Sequence, residues 1–461
     1  MNRKTTALPA SLALLGGLAL AVPVAAQRIE YPPEEFAERR RALCEVIEED
    51  ALVLLFSKTE PARGVRFRQD HDFYYLTGNE NLNSALALDA TSCEARLFLV
   101  TQTEREASRD GWNWLHQEGA AARRGFAELR PLHALEEFLS RRRISGTQVV
   151  YVRLSERDEI DQSRGDTAIF QARRMVNPWG GQPSEDAWRV RMFRERYPHY
   201  ELRDVSPRID RLRMIKRPRE IEALRRAGQV SAAAIRRSIE STAPGRFEYE
   251  LEAEATHEMI KSGAEHAAYA AIVGSGPNVN VWHHNRNDRL LEEGDLVVMD
   301  YGASFGYQTM DITRTWPVSG RFDELQERAY RATLEAQKAV IAAMRPGVTR
   351  EQTQEICRQV FEKWGFGDQS PSGAGHFVGM AVHDVGFFDE PLQAGMVIAV
   401  EPIIEISDEQ LHVRIEDTVL ITEDGAEVLS GGVPKELDEV LALVGRGVRS
   451  SPGRPETARR R

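Results

Sequence analysis

Leu296-Val-Val-Met-Asp300 with Asp311-Ile-Thr-Arg-Thr-Trp316, and further along Met396-Val-Ile-Ala-Val-Glu401 with Leu411-His-Val-Arg-Ile-Glu416, are the stretches whose reading decides the fold. Each is an apolar run of strand length, and each carries a carboxylate at its end or in its midst. A turn rich in Gly, Ser and Tyr separates the first two runs, and Asp408-Glu409-Gln410 separates the second two. The pattern predicts two hairpins, one pairing Asp300 with Asp311 and the other Glu401 with Glu416, as halves of a pseudo-symmetric site. An unpaired carboxylate in apolar surroundings costs several kcal/mol or takes up a proton. One such acid reads as a cap or a surface residue; four together call for a cation.

His376, in Gly375-His-Phe-Val-Gly379, adds a nitrogen donor, and His383 follows in Val382-His-Asp-Val-Gly386. One histidine with four carboxylates is a hard, oxygen-rich set that suits a pair of divalent ions such as Mn²⁺, Co²⁺, Fe²⁺ or Zn²⁺ and poorly matches a structural zinc. Two ions sharing carboxylates and a bridging hydroxide generate a nucleophile and polarise a carbonyl, which amide hydrolysis requires.

Outward from these strands, residues 218–235, 249–262 and 322–344 carry apolar positions at helical spacing, with Pro218 suited to a first turn. The unit from residue 206 to 443 therefore reads as α+β, a curved or open sheet covered by helices. Residues 27–205 mix short apolar runs such as Ala51-Leu-Val-Leu-Leu-Phe56 with charged helical stretches at 33–49 and 187–197, the alternation of an α/β domain. Residues 160–188, rich in Gly and Pro, read as an irregular excursion. At the start, Arg3 and Lys4 precede an apolar run and Val24-Ala25-Ala26, so residues 1–26 read as a signal peptide and the protein as exported, periplasmic or secreted. Residues 444–461, Gly-, Ser-, Pro- and Arg-rich, read as a disordered basic tail.

The whole chain of 461 residues carries a net charge of −11, which argues against a nucleic-acid-coating surface. No stretch after the leader is long and apolar enough for stable membrane insertion. Three cysteines, Cys44, Cys93 and Cys357, make no disulfide framework and no thiolate metal site. A Cys44–Cys93 bridge stays open, but the expectation is three buried small apolar groups.

In order and spacing, Val298-Met-Asp300-Tyr-Gly, Asp311-Ile-Thr-Arg, Gly375-His376, Val382-His383-Asp-Val-Gly, Val400-Glu401-Pro402 and Arg414-Ile-Glu416-Asp resemble the metallopeptidases of the pita-bread fold, most closely the Xaa-Pro aminopeptidases, or aminopeptidase P. Phe67-Arg-Gln-Asp-His-Asp-Phe-Tyr-Tyr-Leu-Thr-Gly78 resembles their N-terminal domain, and the matches span about residues 30 to 440. Methionine aminopeptidases share the metal set but lack that domain. The resemblance implies an α/β N-terminal domain before a pita-bread catalytic domain, proline-containing peptides as substrates, and a dimer or tetramer. It implies two divalent ions, Mn²⁺ foremost with Zn²⁺ or Co²⁺ as alternatives. Asp300 would chelate one ion, Asp311 and Glu416 would bridge, and His376 and Glu401 would complete the other. Glu401 would also act as general base, His283 would face the substrate, His383 would steady the scissile carbonyl or oxyanion, and Arg414 would orient a carboxylate. One departure stands out: where the family often has a histidine four residues before the ligand histidine, this chain has Ser372. Two alternatives accompany this reading. One is a prolidase, which cleaves only Xaa-Pro dipeptides. The other is a non-catalytic binding protein or metal-free enzyme of the same fold, expected to have lost ligands that this chain retains.

Overall fold

The structure, a computed structural model, describes residues 29–47, 50–60, 66–369 and 372–448. Six strands, β1 (Ala51–Phe56), β2 (Ala85–Asp89), β3 (Ala95–Leu99), β4 (Glu128–Pro131), β5 (Val149–Val152) and β6 (Glu201–Asp204), form a mixed sheet in the order β4-β3-β2-β1-β5-β6. In β1, Ala51, Val53 and Leu55 enter one core while Leu52 and Leu54 enter the other. That alternation explains the unbroken apolar run, since a strand covered on both faces has no polar side.

The Ser206–Met214 helix leads out of this unit, placing Ile209 in the N-terminal core and Met214 in the C-terminal one. Its Arg213 ties the two together. The guanidinium donates to Asp72 Oδ1 at 2.8 Å, to Asp158 Oδ2 at 2.6 Å and to Asp384 Oδ1 at 2.6 Å.

The C-terminal unit contains β7 (His266–Ala267), β8 (Ile272–Ser275), β9 (Leu296–Asp300), β10 (Ala303–Phe305), β11 (Gln308–Thr309), β12 (Thr313–Pro317), β13 (Val397–Val400), β14 (Ile403–Ile406), β15 (Leu411–Arg414), β16 (Asp417–Ile421) and β17 (Ala426–Val428). Alternate strand residues divide between two cores. Val297, Met299, Val397, Ala399 and Leu420 pack with the Pro218–Ser241 and Glu248–Lys261 helices. Leu296, Val298, Ile398, Val400 and Ile421 pack with the Glu324–Ala343 and Arg350–Lys363 helices.

Several expectations need correction. The excursion at 160–188 contains a regular helix, Arg164–Met175, started by a reciprocal capping box between Ser163 and Asp166. None of its residues is buried, and its apolar Ile169, Phe170 and Met175 lie exposed; the Gly and Pro residues in and after it obscure the helical spacing. The first hairpin is not simple: β9 pairs with β12, but β10 and β11 intervene, β10 pairing with both β11 and β7. Residues 396–404 and 411–421, each expected as a single strand, break at Glu401-Pro402 and at Ile415-Glu416, giving β13–β16 and β14–β15 as separate pairs. Cys44 and Cys93 are joined in a disulfide, while Cys357 is free and buried. Spacing along the chain could not bring the first two together; the packing of the Pro33–Glu45 helix near the β2–β3 turn does.

The predicted signal peptide lies outside the described residues, as does the tail from residue 449. Residues 444–448 are folded, with Gly447 N–H donating to Glu240 O at 2.7 Å. Among the described residues no helix is long and apolar enough to cross a membrane.

Candidate metal centre

The strand breaks position the acids. Glu401 directly follows β13 and Glu416 directly precedes β16, with Val400 paired to Asp417 at that end of the ladder. In the other sheet Asp300, at the end of β9, pairs with Thr313 on one side and Ile272 on the other, and Asp311 lies just before β12. A seam joins the halves: Glu416 N–H donates to Thr313 O at 3.1 Å, and Thr315 Oγ1 donates to Arg414 O at 2.8 Å. His376 arrives alongside β13, where Gly375 N–H donates to Ala399 O at 2.9 Å and Ala399 N–H donates to His376 O at 2.9 Å. A Cβ on Gly375 would stand 2.9 Å from Ala399 O and 3.1 Å from Glu401 Oε1, so only glycine lets this segment close on the acids.

Donor atoms of Asp300, Asp311 and Glu416 lie within 4.8 Å of one another, as do those of His376, Glu401 and Glu416, and those of Asp311, His376 and His383. All five predicted ligands are thus gathered in one place, with His383 beside them. His376 Nε2 lies 3.3 Å from Asp311 Oδ2 and 3.7 Å from Glu401 Oε1, while its Nδ1 faces Phe377 O at 3.1 Å. Arg414 donates to Asp300 Oδ2 at 2.7 Å and to Thr313 Oγ1 at 3.0 Å, and Thr313 donates to Glu416 Oε2 at 2.7 Å.

The electrostatics describe a charge deficit. Burial and the neighbouring Asp311 charge push Asp300 up to about 7, against the pull of Arg414. Burial and the charges of Asp311, Glu401 and Asp300 push Glu416 well above its ordinary value. Asp311 goes the other way: burial would raise it, but the hydrogen bond and charge of His376 hold it at about 2. His376 is depressed by burial, yet Asp311 and Glu401 carry it up to about 9. Burial and the His376 charge push His383 down to about 4. Glu416 Oε1 is buried without a hydrogen-bond partner among the described residues. Acids gathered this closely are costly without a counter-charge, and divalent cations fit both the donor set and the orphaned oxygen.

Beside Asp300 and Asp311 lies a cavity of about 160 Å³ that His283 and His383 also line. The His383 ring lies against that of His376, centroids 4.1 Å apart and planes tilted by 56°, and its Nδ1 lies 3.7 Å from Asp166 Oδ2. His283 is exposed at the cavity rim. The structure adds residues that the sequence did not single out. The Tyr269 hydroxyl lies 2.5 Å from Asp300 Oδ1 and 2.7 Å from Asp311 Oδ1, and Asp161 and Asp166 reach the site from the N-terminal unit. Tyr269 sits in Ala268-Tyr-Ala270, a stretch with no local signal of chemistry.

Comparison with known proteins agrees with this geometry. Residues 222–423 match metallopeptidase family M24, and residues 36–151 match the aminopeptidase P N-terminal domain. A Xaa-Pro aminopeptidase of Haemophilus influenzae is 31% identical over 90% of this chain and 98% of its own length. A Xaa-Pro dipeptidase of Pyrococcus furiosus is 38% identical, over 52% of this chain and 70% of its own. The structure of aminopeptidase P from Escherichia coli with the inhibitor Pro-Leu superposes with a TM-score of 0.74 at 30% identity, covering 90% of this chain and 98% of that one.

Proposed function

The chain belongs to metallopeptidase family M24, behind an aminopeptidase P N-terminal domain, and from that premise we propose that it is an exported dinuclear-metal exopeptidase that hydrolyses the N-terminal Xaa-Pro bond of peptides. The observation that carries this reading is the convergence of buried Asp300, Asp311 and Glu416 with half-buried Glu401 and His376, Glu416 Oε1 having no hydrogen-bond partner among the described residues. Asp300 would hold one ion, Asp311 and Glu416 would bridge, and His376 and Glu401 would hold the other. Nδ1–H donation from His376 to Phe377 O leaves Nε2 free as the ligand atom. The oxygen-rich set favours Mn²⁺, with Zn²⁺ or Co²⁺ as substitutes.

With ions bound, the centre would supply a Lewis acid and lower the pKa of a water. The protein's own groups handle the rest. Glu401 takes the proton of the attacking water and returns it to the proline nitrogen as the amine departs. His383, facing the cavity next to His376, donates to the scissile carbonyl oxygen as charge develops there. His283 contacts the substrate from the rim. Arg414 and Tyr269 hold Asp300 in place for its ion.

Export is supported by the leader-like composition of residues 1–26 and by the Cys44–Cys93 disulfide, which suits an oxidising compartment. Metal-free protein reconstituted with Mn²⁺, Co²⁺ or Zn²⁺ and assayed on an Xaa-Pro dipeptide and an Xaa-Pro-Yaa tripeptide tests the reading. Metal-dependent cleavage of the tripeptide is expected. The likeness to the Pyrococcus dipeptidase supports prolidase as a second reading, and a strong dipeptide preference would establish it instead. Turnover indifferent to chelator and added metal would overturn both.

A further inference from the structure

One wall of the cavity beside Asp300 comes from the N-terminal unit, as a two-residue turn with Ile160 and Asp161 at its tip. Glu159 and Gln162 bridge across the turn, with Glu159 N–H donating to Gln162 O at 3.0 Å and Gln162 N–H to Glu159 O at 3.2 Å. Val382 N–H donates to Ile160 O at 2.8 Å, which fastens the turn to the segment bearing His383. On the near side, Lys58 pairs with Glu159 at 2.6 Å and Arg213 with Asp158 at 2.6 Å. The turn is therefore held from both units, and it presents Asp161 to the cavity. Asp161 is exposed, and its carboxylate has no hydrogen-bond or ion-pair partner among the described residues.

We infer that Asp161 selects the first residue of the substrate, favouring a lysine or arginine there; the inference rests on the aminopeptidase reading above. On that reading the cavity lined by His283 and His383 holds the first residue, whose carbonyl is the one cleaved, so its side chain lies among the same walls. Ala270, Ile272 and Val382 are its apolar lining, beside the polar Asp300, Asp311, His283 and His383, and Asp161 is the acid in it that neither the metal centre nor an ion pair among the described residues uses. An apolar wall ending in a carboxylate matches a side chain with a methylene stem and a cationic head. It disfavours an acidic first residue, which would meet Asp161 as a like charge.

The test compares Lys-Pro-Yaa with norleucine-Pro-Yaa, which keeps the stem and removes the charge, on metal-loaded wild type, Asp161→Asn and Asp161→Lys. Wild type should favour the lysyl peptide by roughly fivefold in kcat/KM, mainly through KM, and less so at high salt. Asp161→Asn should bring the ratio close to one, and Asp161→Lys should invert it and improve Glu-Pro-Yaa. A ratio unchanged in Asp161→Asn overturns the assignment. So does an equal loss on both peptides, because a merely structural turn would depress them alike. Wild-type enzyme that cleaves no Xaa-Pro tripeptide overturns the aminopeptidase reading together with this one, whereas cleavage with unshifted ratios overturns this one alone.

Discussion

Glu401 and Tyr269 show how different the chemistry of neighbouring side chains at one centre can be. Replacing Glu401 by Gln preserves its volume but removes both a ligand charge and the proton acceptor, so kcat should fall by ~10² or more. Steady-state kinetics with metal content measured alongside checks this, and unchanged turnover at full occupancy would refute the general-base role. Tyr269 touches Asp300 and Asp311 through its hydroxyl alone. Tyr269→Phe should therefore weaken metal affinity or activity by ~10–100-fold while leaving the fold intact, as read by metal titration calorimetry and circular dichroism. Asp300, Asp311, Glu401 and Glu416 were legible from the sequence, because an acid at the end of an apolar strand is conspicuous. Tyr269 was not, because its partners lie 31 and 42 residues away and nothing beside it announces them.

Among the elements, the Ser206–Met214 helix carries the heaviest electrostatic duty. Arg213 is buried against Asp72, Asp158 and Asp384, so Arg213→Met leaves three buried acids short of a partner. The expected cost is about 3–5 kcal/mol, measured by urea denaturation. Burial would raise Asp158, Asp72 and Asp384, but Arg213, Arg164 and Lys216 outweigh it and hold all three below the ordinary carboxylate range. Depressed carboxylates contribute stability that is fully present above their unfolded pKa of about 3.9 and disappears as pH falls below it. Asp210, raised by burial to about 6, acts oppositely: its protonated form is favoured in the fold, so its contribution is lost as pH rises from about 4 to 6. Stability should thus drop steeply below pH ~4, and Asp210→Asn should gain on wild type as pH rises from about 4 to 6, because it removes that residue's share of the pH dependence. Denaturation midpoints across this range check both slopes. The sequence marked Pro218 as a helix start, yet it hid the Arg164–Met175 helix, because Gly165 and the Gly and Pro residues at 178–183 read as loop.

Over the whole molecule, two linkages outside any single element should be measurable. The Cys44–Cys93 bridge closes a separation of 49 residues, and reduction should lower stability by about 4 kcal/mol on the chain-entropy account. Thermal unfolding with and without reductant, against a Cys44→Ser control, reads the difference. Chelation should lower Tm as well, and Mn²⁺ at a hundred times its Kd should restore about 2.7 kcal/mol per ion if the ions bind the folded chain alone. The sequence by itself determined the two-unit architecture, the apolar strands and the acids at their ends that the structure gathers with His376, because periodicity and the cost of burying charge act locally along the chain. Tertiary structure alone decided the disulfide, the breaks that turn Glu401 and Glu416 toward each other, and the approach of Asp161 and Asp166 from the N-terminal unit to the C-terminal site. Those features depend on distances between segments far apart in the chain, and only the packing of the two units sets such distances.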